Sequence, residues 1–258
     1  MLPNVTATCL RTITCEEVAD YRVQGWVHLP SLVERSVIAE MFSDAKLRAA
    51  QDNLRPPVSA AASYFTIYQR LALQRPQWGG VFLGSAMARN IERLMQVSHV
   101  RFYQDSLLVK QPEGDLHGAT TYHQDFPFHA LDRSNWLTVW VALADLPATS
   151  GTMRFYSGSH RMGSLGRTLV SGEDAAFLSE AAGCRVSEAC DLAAGDATVH
   201  NALTVHGAPA NRTTAARWAY TALYMDAATL YTGAPYKPVD MTGLQPGGKV
   251  DERFPLLK

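Results

Sequence analysis

From residue 98 onward the chain changes character, and that change decides most of what it can become. Residues 99–111, 135–145, 151–157, 197–206 and 216–226 are short runs rich in Val, Thr, Tyr, Trp and Phe, broken by Gly, Pro and Asn. β-Branched and aromatic side chains suit a pleated surface, and turn formers between such runs predict a β-rich core. Upstream the pattern is helical. Thr14-Cys15-Glu16-Glu17 has the S/T-x-x-E form of a capping box and predicts a short helix ending near Gln24-Gly25. Trp26 to Pro30 reads as a strand. Ser31-Leu32-Val33-Glu34 repeats the capping pattern and predicts a longer helix to about Gln51, with Leu32, Val33, Ile38, Met41, Phe42 and Leu47 on one face. Residues 53–62 read as a Pro- and Ala-rich loop, 66–74 and 80–96 as helices, and 163–183 as a mobile insert between strands.

The expected organisation is one domain over 1–258: helices over about 14–97, a β core over about 98–226 and a C-terminal tail over 227–258. A chain this long hides roughly 70–75% of its unfolded surface. Its formal net charge of -1 argues against nucleic acid or an anionic membrane as the main partner, since both call for a clustered basic field. A small-molecule substrate remains as the expected partner, and the sequence leaves the oligomeric state open. Cys9, Cys15, Cys184 and Cys190 form two C-x5-C pairs, neither a redox motif nor a zinc spacing, so four free thiols are expected. With no leader pattern and no bilayer-length apolar run, the expectation is a soluble, cytoplasmic protein.

The chemistry centres on His123-Gln124-Asp125. On an extended segment, residues i and i+2 share a face, so an imidazole and a carboxylate can reach the same ion. His206, at the end of the run 197–205 and just before Gly207-Ala208-Pro209-Ala210-Asn211, is placed to supply a third ligand. Two His and one carboxylate on one face of an ion leave the opposite positions open, as non-haem iron(II) oxygenases require. An isolated H-x-D is common by chance; its weight here comes from its company. Arg217 opens the run Arg217 to Met225, which the turn after Pro209 is expected to fold back beside the strand of His206. A guanidinium there can pair bidentately with a carboxylate ligand, although an ordinary salt bridge would leave the same trace in sequence.

With those residues in hand, the chain resembles the phytanoyl-CoA dioxygenase family. The resemblance rests on His123-Gln124-Asp125, Trp140 to Asp145, Gly151 to His160, Gly195-Asp196 and His206 to Asn211 followed by Arg217, and is strongest over residues 100–226. It implies a mainly β fold with flanking helices, built on a double-stranded β-helix (a jelly roll, cupin-like). It implies iron(II) on His123, Asp125 and His206, with 2-oxoglutarate and O2 as co-substrates. Arg217 would clamp the far carboxylate of 2-oxoglutarate, with Trp140, Lys110 and Ser106 also on the co-substrate. The implied activity is hydroxylation of a small organic molecule, a natural-product intermediate, with release of succinate and CO2. Epimerisation, desaturation and oxidative cyclisation are the alternatives with the same cofactors. A catalytically silent binding jelly roll is the alternative outside enzymes, and the intact ligand set argues against it.

Two positions depart from the family pattern: Ala208 stands where Ser is usual, and Ser157 where Pro is usual. The first removes a hydroxyl from the co-substrate site, for which Thr221 or Tyr103 could substitute. The intact Asp125 argues against a halogenase. Phe126, Phe128, His117 and His129 flank the iron motif and are the candidate substrate contacts. His200 is a candidate neighbour of the ligands, while His28, His99 and His160 read as structural.

Overall fold

The computed structural model describes residues 9–52, 65–112, 118–166, 180–236 and 238–258. Helix α1 (Cys15–Gln24) is capped as its sequence predicts: the Thr14 hydroxyl accepts from Glu17 N, the Glu17 carboxylate accepts from Thr14 N, and Gly25 ends the helix in the left-handed region. Strand β1 (Trp26–Leu29) follows. The second capping pattern does not cap. Ser31 turns through a positive φ of 47°, its N–H donates to Asp196, and Leu10 bridges to Val33, so helix α2 (Arg35–Asp52) starts one residue after Glu34. Its predicted face is only partly right, since Ile38 and Met41 are buried while Leu47 is 65% exposed.

The segment read as a helix over 66–74 is a strand, β2 (Phe65–Gln69), followed by the single turn α3 (Leu71–Gln74). Backbone pairing with a neighbouring strand overrides local helical pattern there. Helices α4 (Pro76–Phe82) and α5 (Ser85–Met95) complete the helical layer. The strands after residue 98 are β3 (Val100–Lys110), β4 (Thr120–His123), β5 (Trp136–Ala142), β6 (Arg154–Phe155), β7 (Ala197–Asn201), β8 (His206–Ala208) and β9 (Arg217–Asp226). With β1 and β2 they form two antiparallel sheets, one of six strands in the order β1-β7-β5-β9-β3-β2 and one of three in the order β4-β8-β6.

The run 197–206 is therefore two strands in two sheets. Asn201 breaks it, its carbonyl accepting from Thr204 N and its side chain from Leu203 N, an Asx turn that sends the chain across. Consequently β9 pairs with β3 and β5, not with the strand of His206 as the sequence predicts.

Period-2 alternation gives the large sheet two faces. Leu137, Val139, Val141, Val199, Tyr220, Ala222 and Tyr224 join the helices in one core, where Tyr220 packs on Trp78 and Phe82 at 4.7 and 4.5 Å. The intervening residues Thr138, Trp140, His200, Arg217, Thr221 and Leu223 line a cavity on the other face. In β3 a bulge between Phe102 and Gln104 shifts the parity, so Phe102 and Leu107 face the helices while Gln104, Ser106 and Leu108 face the cavity.

The C-terminal segment is not a loose tail. Leu256 bridges to Arg101, Lys249 to Leu230 and Tyr231 to Leu131, and Phe254 is fully buried against Tyr103 at 5.5 Å. All four cysteines are free thiols. Of the predicted insert over 163–183, residues 167–179 lie outside the described residues, as does the predicted loop over 53–62.

Candidate metal centre

His123 ends β4 and His206 begins β8, and the two are register partners across the ladder. Their rings lie 4.3 Å apart. Each Nδ1 sits against the carbonyl two residues upstream, His123 on Thr121 O at 2.8 Å and His206 on Thr204 O at 2.9 Å. Donation to those carbonyls sets the tautomer with Nδ1 protonated and leaves both Nε2 atoms free to bind a metal. Asp125 does not get there by strand parity. It adopts a helical conformation (φ -69°, ψ -41°) at the head of the 3-10 turn Phe126–Phe128, which swings its carboxylate back toward the imidazoles. Its Oδ1 lies 3.4 Å from His123 Nε2 and 3.6 Å from His206 Nε2. Among the described residues these three form a potential metal-ligand group, their donor atoms all within 4.8 Å of one another. Two imidazole nitrogens and one carboxylate oxygen fit an iron(II) ion with open positions.

The second oxygen of Asp125 is held separately. Its Oδ2 meets His200 Nε2 at 3.3 Å and accepts from the Thr138 hydroxyl at 3.1 Å. The sequence placed His200 beside His206 on the assumption of a shared strand; the rings do meet, at 4.1 Å, but from strands of different sheets. Gln124, between the two ligands, points away and ties Gly163 O, Leu203 O and Leu165 N together.

The cavity has a volume of about 240 Å³. Arg217 enters it from the large sheet, 2% exposed, with its Nη1 donating to Gly151 O, its Nε without a partner and its guanidinium 5.4 Å from the Trp140 ring. No carboxylate faces it across an ion pair within the described residues. A buried guanidinium left so is a receptor for an anionic ligand. Trp140 and Ser106 line the same cavity. Lys110 is buried and supports it from behind, donating to the Thr120 hydroxyl and Pro209 O at 3.1 Å each. Thr120 is a residue the sequence reading missed: it is the register partner of Ala208 and lines the cavity beside it. Thr221 also lines it, with its hydroxyl committed to Ser106 O at 3.2 Å. Tyr103 does not; its hydroxyl meets His129 Nδ1 at 3.2 Å.

Electrostatics follow from the geometry. Burial works against the charged form of Asp125, yet His206, His123 and His200 together hold its carboxyl well below the usual range. Burial pushes His206 well down, with His200 beside it adding to the effect. His123 is raised: burial pulls it down, and the contact with Asp125 outweighs that. Burial lowers Arg217 to about 10, which leaves it cationic at neutral pH.

Of the candidate substrate contacts, His129 lines the cavity and Phe128 lies edge-on to the His123 ring at 6.3 Å. Phe126 packs instead beside the buried cluster of Tyr103, Leu131 and Trp136. His117 lies outside the described residues. Thr120, Thr138, Met153 and Tyr236 were not found from sequence; short-range pattern carries no sign of them.

The family described as phytanoyl-CoA dioxygenase (PhyH) matches residues 21–219. Among solved structures, the chain is similar to the non-heme alpha ketoglutarate dependent carbocyclase SnoK from nogalamycin biosynthesis, 27% identical, covering 96% of this chain and 99% of that one at a TM-score of 0.78. It is similar also to the epimerase SnoN in complex with Fe3+, alpha ketoglutarate and nogalamycin RO, 28% identical, covering 94% and 98% at a TM-score of 0.77. EctD from S. alaskensis with 2-oxoglutarate and 5-hydroxyectoine, 19% identical over 92% and 86% at a TM-score of 0.68, shares the fold. No curated protein matches the chain.

Proposed function

The chain belongs to the phytanoyl-CoA dioxygenase family, and we propose that it holds iron(II) on His123, Asp125 and His206 and 2-oxoglutarate against Arg217. It is an iron(II)- and 2-oxoglutarate-dependent oxygenase, and its substrate is a small organic molecule, a natural-product intermediate. When bound, the metal and co-substrate supply the activation of O2 for attack on a C–H bond, with succinate and CO2 released. The observation that carries the reading is the convergence of two imidazoles, one carboxylate and, in the same cavity, a buried guanidinium with no carboxylate partner among the described residues.

The chain's own residues bind, orient and exclude water. Backbone carbonyls of Thr121 and Thr204 fix the imidazoles, and His200 with Thr138 fixes the carboxylate. Arg217, with Trp140, Ser106 and Thr120 around it, offers a charged, hydroxyl-lined end to a dicarboxylate. Thr120, held by Lys110, stands beside Ala208 and supplies a hydroxyl where that residue has none. No side chain need act as a general base. SnoK and SnoN are a carbocyclase and an epimerase, which favours cyclisation or epimerisation here as a second reading beside hydroxylation.

The test is anaerobic titration of the metal-free protein with iron(II) and 2-oxoglutarate, following the weak visible charge-transfer band of the chelate. The band is expected in the wild type and lost in His206→Ala. Its absence with iron bound would overturn the co-substrate assignment.

A further inference from the structure

The cavity at the ligands has a neighbour. A second, outer groove of about 580 Å³ is lined by Pro127, Phe128 and His129 on one side and by Ala234, Pro235, Tyr236 and Pro238 of the C-terminal segment on the other. His129 lines both spaces. Sites for drug-sized molecules run to about 300–1,000 Å³. The inner cavity, about 240 Å³ and carrying Arg217, has room for a small dicarboxylate and little more. The outer groove has the size the inner one lacks.

Its walls are of one chemical kind. Three prolines, two aromatic rings, an alanine and an imidazole line it, with no charged side chain among the described lining residues. The walls are also stiff. Tyr236 stacks on Tyr103 at 5.7 Å, and its hydroxyl donates to Gln104 Oε1 at 2.5 Å. The His129 ring packs against Trp136 at 4.6 Å and Tyr236 at 4.9 Å. Rigid, flat, apolar surfaces select a flat, apolar occupant, because its ring faces stack without loss of side-chain entropy. Position then joins the groove to the chemistry, because Phe128 lies against the ligand His123 and His129 reaches into the metal cavity.

We propose that this groove is the substrate seat and that its occupant is an uncharged, flat, fused-ring molecule packed against Phe128 and Tyr236, one edge passing His129 toward the metal centre. The proposal rests on the oxygenase reading above and narrows its substrate class. It also makes Ala234, Pro235, Tyr236 and Pro238 determinants of specificity.

The test is calorimetric binding of quinizarin, a neutral dihydroxyanthraquinone, and of palmitoyl-coenzyme A to the full chain, metal-free and loaded with cobalt(II) and 2-oxoglutarate. Quinizarin is expected to bind and palmitoyl-coenzyme A not. Phe128→Ala and Tyr236→Ala should each weaken quinizarin at least tenfold, Tyr236→Phe should keep most of the affinity, and Tyr236→Ala should leave cobalt(II) affinity unchanged. Failure of quinizarin to bind, binding that neither alanine variant weakens, or preference for the thioester overturns the proposal. Failure of cobalt(II) to bind counts against the metal centre instead, and quinizarin binding to the metal-free protein still reads the groove by itself.

Discussion

His200 Nε2 lies 3.3 Å from Asp125 Oδ2, the carboxylate oxygen turned away from the two ligand imidazoles. His200 is 1% exposed and sits on the large sheet, while the oxygen's other partner is the Thr138 hydroxyl on the adjacent strand. Two contacts on Oδ2 leave Oδ1 as the oxygen that would meet a metal held by the two imidazoles.

Loss of that restraint should be visible in the metal itself. Outer partners of metal ligands are worth roughly ten- to a hundredfold in affinity. His200→Ala is expected to weaken cobalt(II) binding within that range and to alter the visible spectrum of the bound cobalt. Thr138→Val should do the same to a smaller degree, whereas Thr138→Ser should restore the wild-type spectrum. An unchanged spectrum in His200→Ala would reduce His200 to packing.

In the proposed site Arg217 would act on the co-substrate and not on the metal. A charge-assisted pair contributes about 1.5–3 kcal/mol, so Arg217→Ala should raise the 2-oxoglutarate requirement by roughly ten- to a hundredfold. Metal affinity should stay near wild type. Lysine should rescue poorly, since a point charge cannot reproduce the planar fork. An unaltered requirement in the alanine variant removes Arg217 from the site.

Gly151 connects the backbone to that clamp. It has φ +81°, a Cβ there would collide with Pro209 O, and its own carbonyl accepts from Arg217. Gly151→Ala is expected to cost about 2 kcal/mol, from left-handed strain plus the displaced loop. Thermal unfolding measures the loss. The same variant should weaken 2-oxoglutarate binding, because the carbonyl that orients the guanidinium moves with the loop.

His129 makes stability depend on pH. Burial lowers its folded-state pKa to about 4, against about 6.5 when unfolded. Between those values the unfolded chain binds the extra proton, so stability is full above pH 6.5 and falls as the pH drops toward 4. From pH 7 to pH 5 this one group should remove about 2 kcal/mol. His129→Gln should lose that part of the acid sensitivity, as urea midpoints at the two pH values would show. An identical pH slope in the variant would mean that other groups carry it.

By itself the sequence determined the chemistry and the local geometry. Thr14 to Glu17 caps a helix because its partners are three residues apart. Alternation along the run Arg217 to Met225 was legible as well, since a strand's parity is a local property, but the expected neighbour of that run was the strand of His206. The donor types at His123, Asp125 and His206 were legible because residue identity stands in the sequence itself. Tertiary structure decided what lies opposite what. Only long-range pairing set His123 against His206, put Arg217 in the other sheet and divided 197–206 between two ladders. It also turned 66–69 from a helical pattern into an edge strand and brought Tyr236 back to the mouth of the site. Spacing and propensity act over a few residues, whereas a ladder partner or a cavity wall is chosen by contacts between distant segments, so their identity was never present in any one stretch of chain.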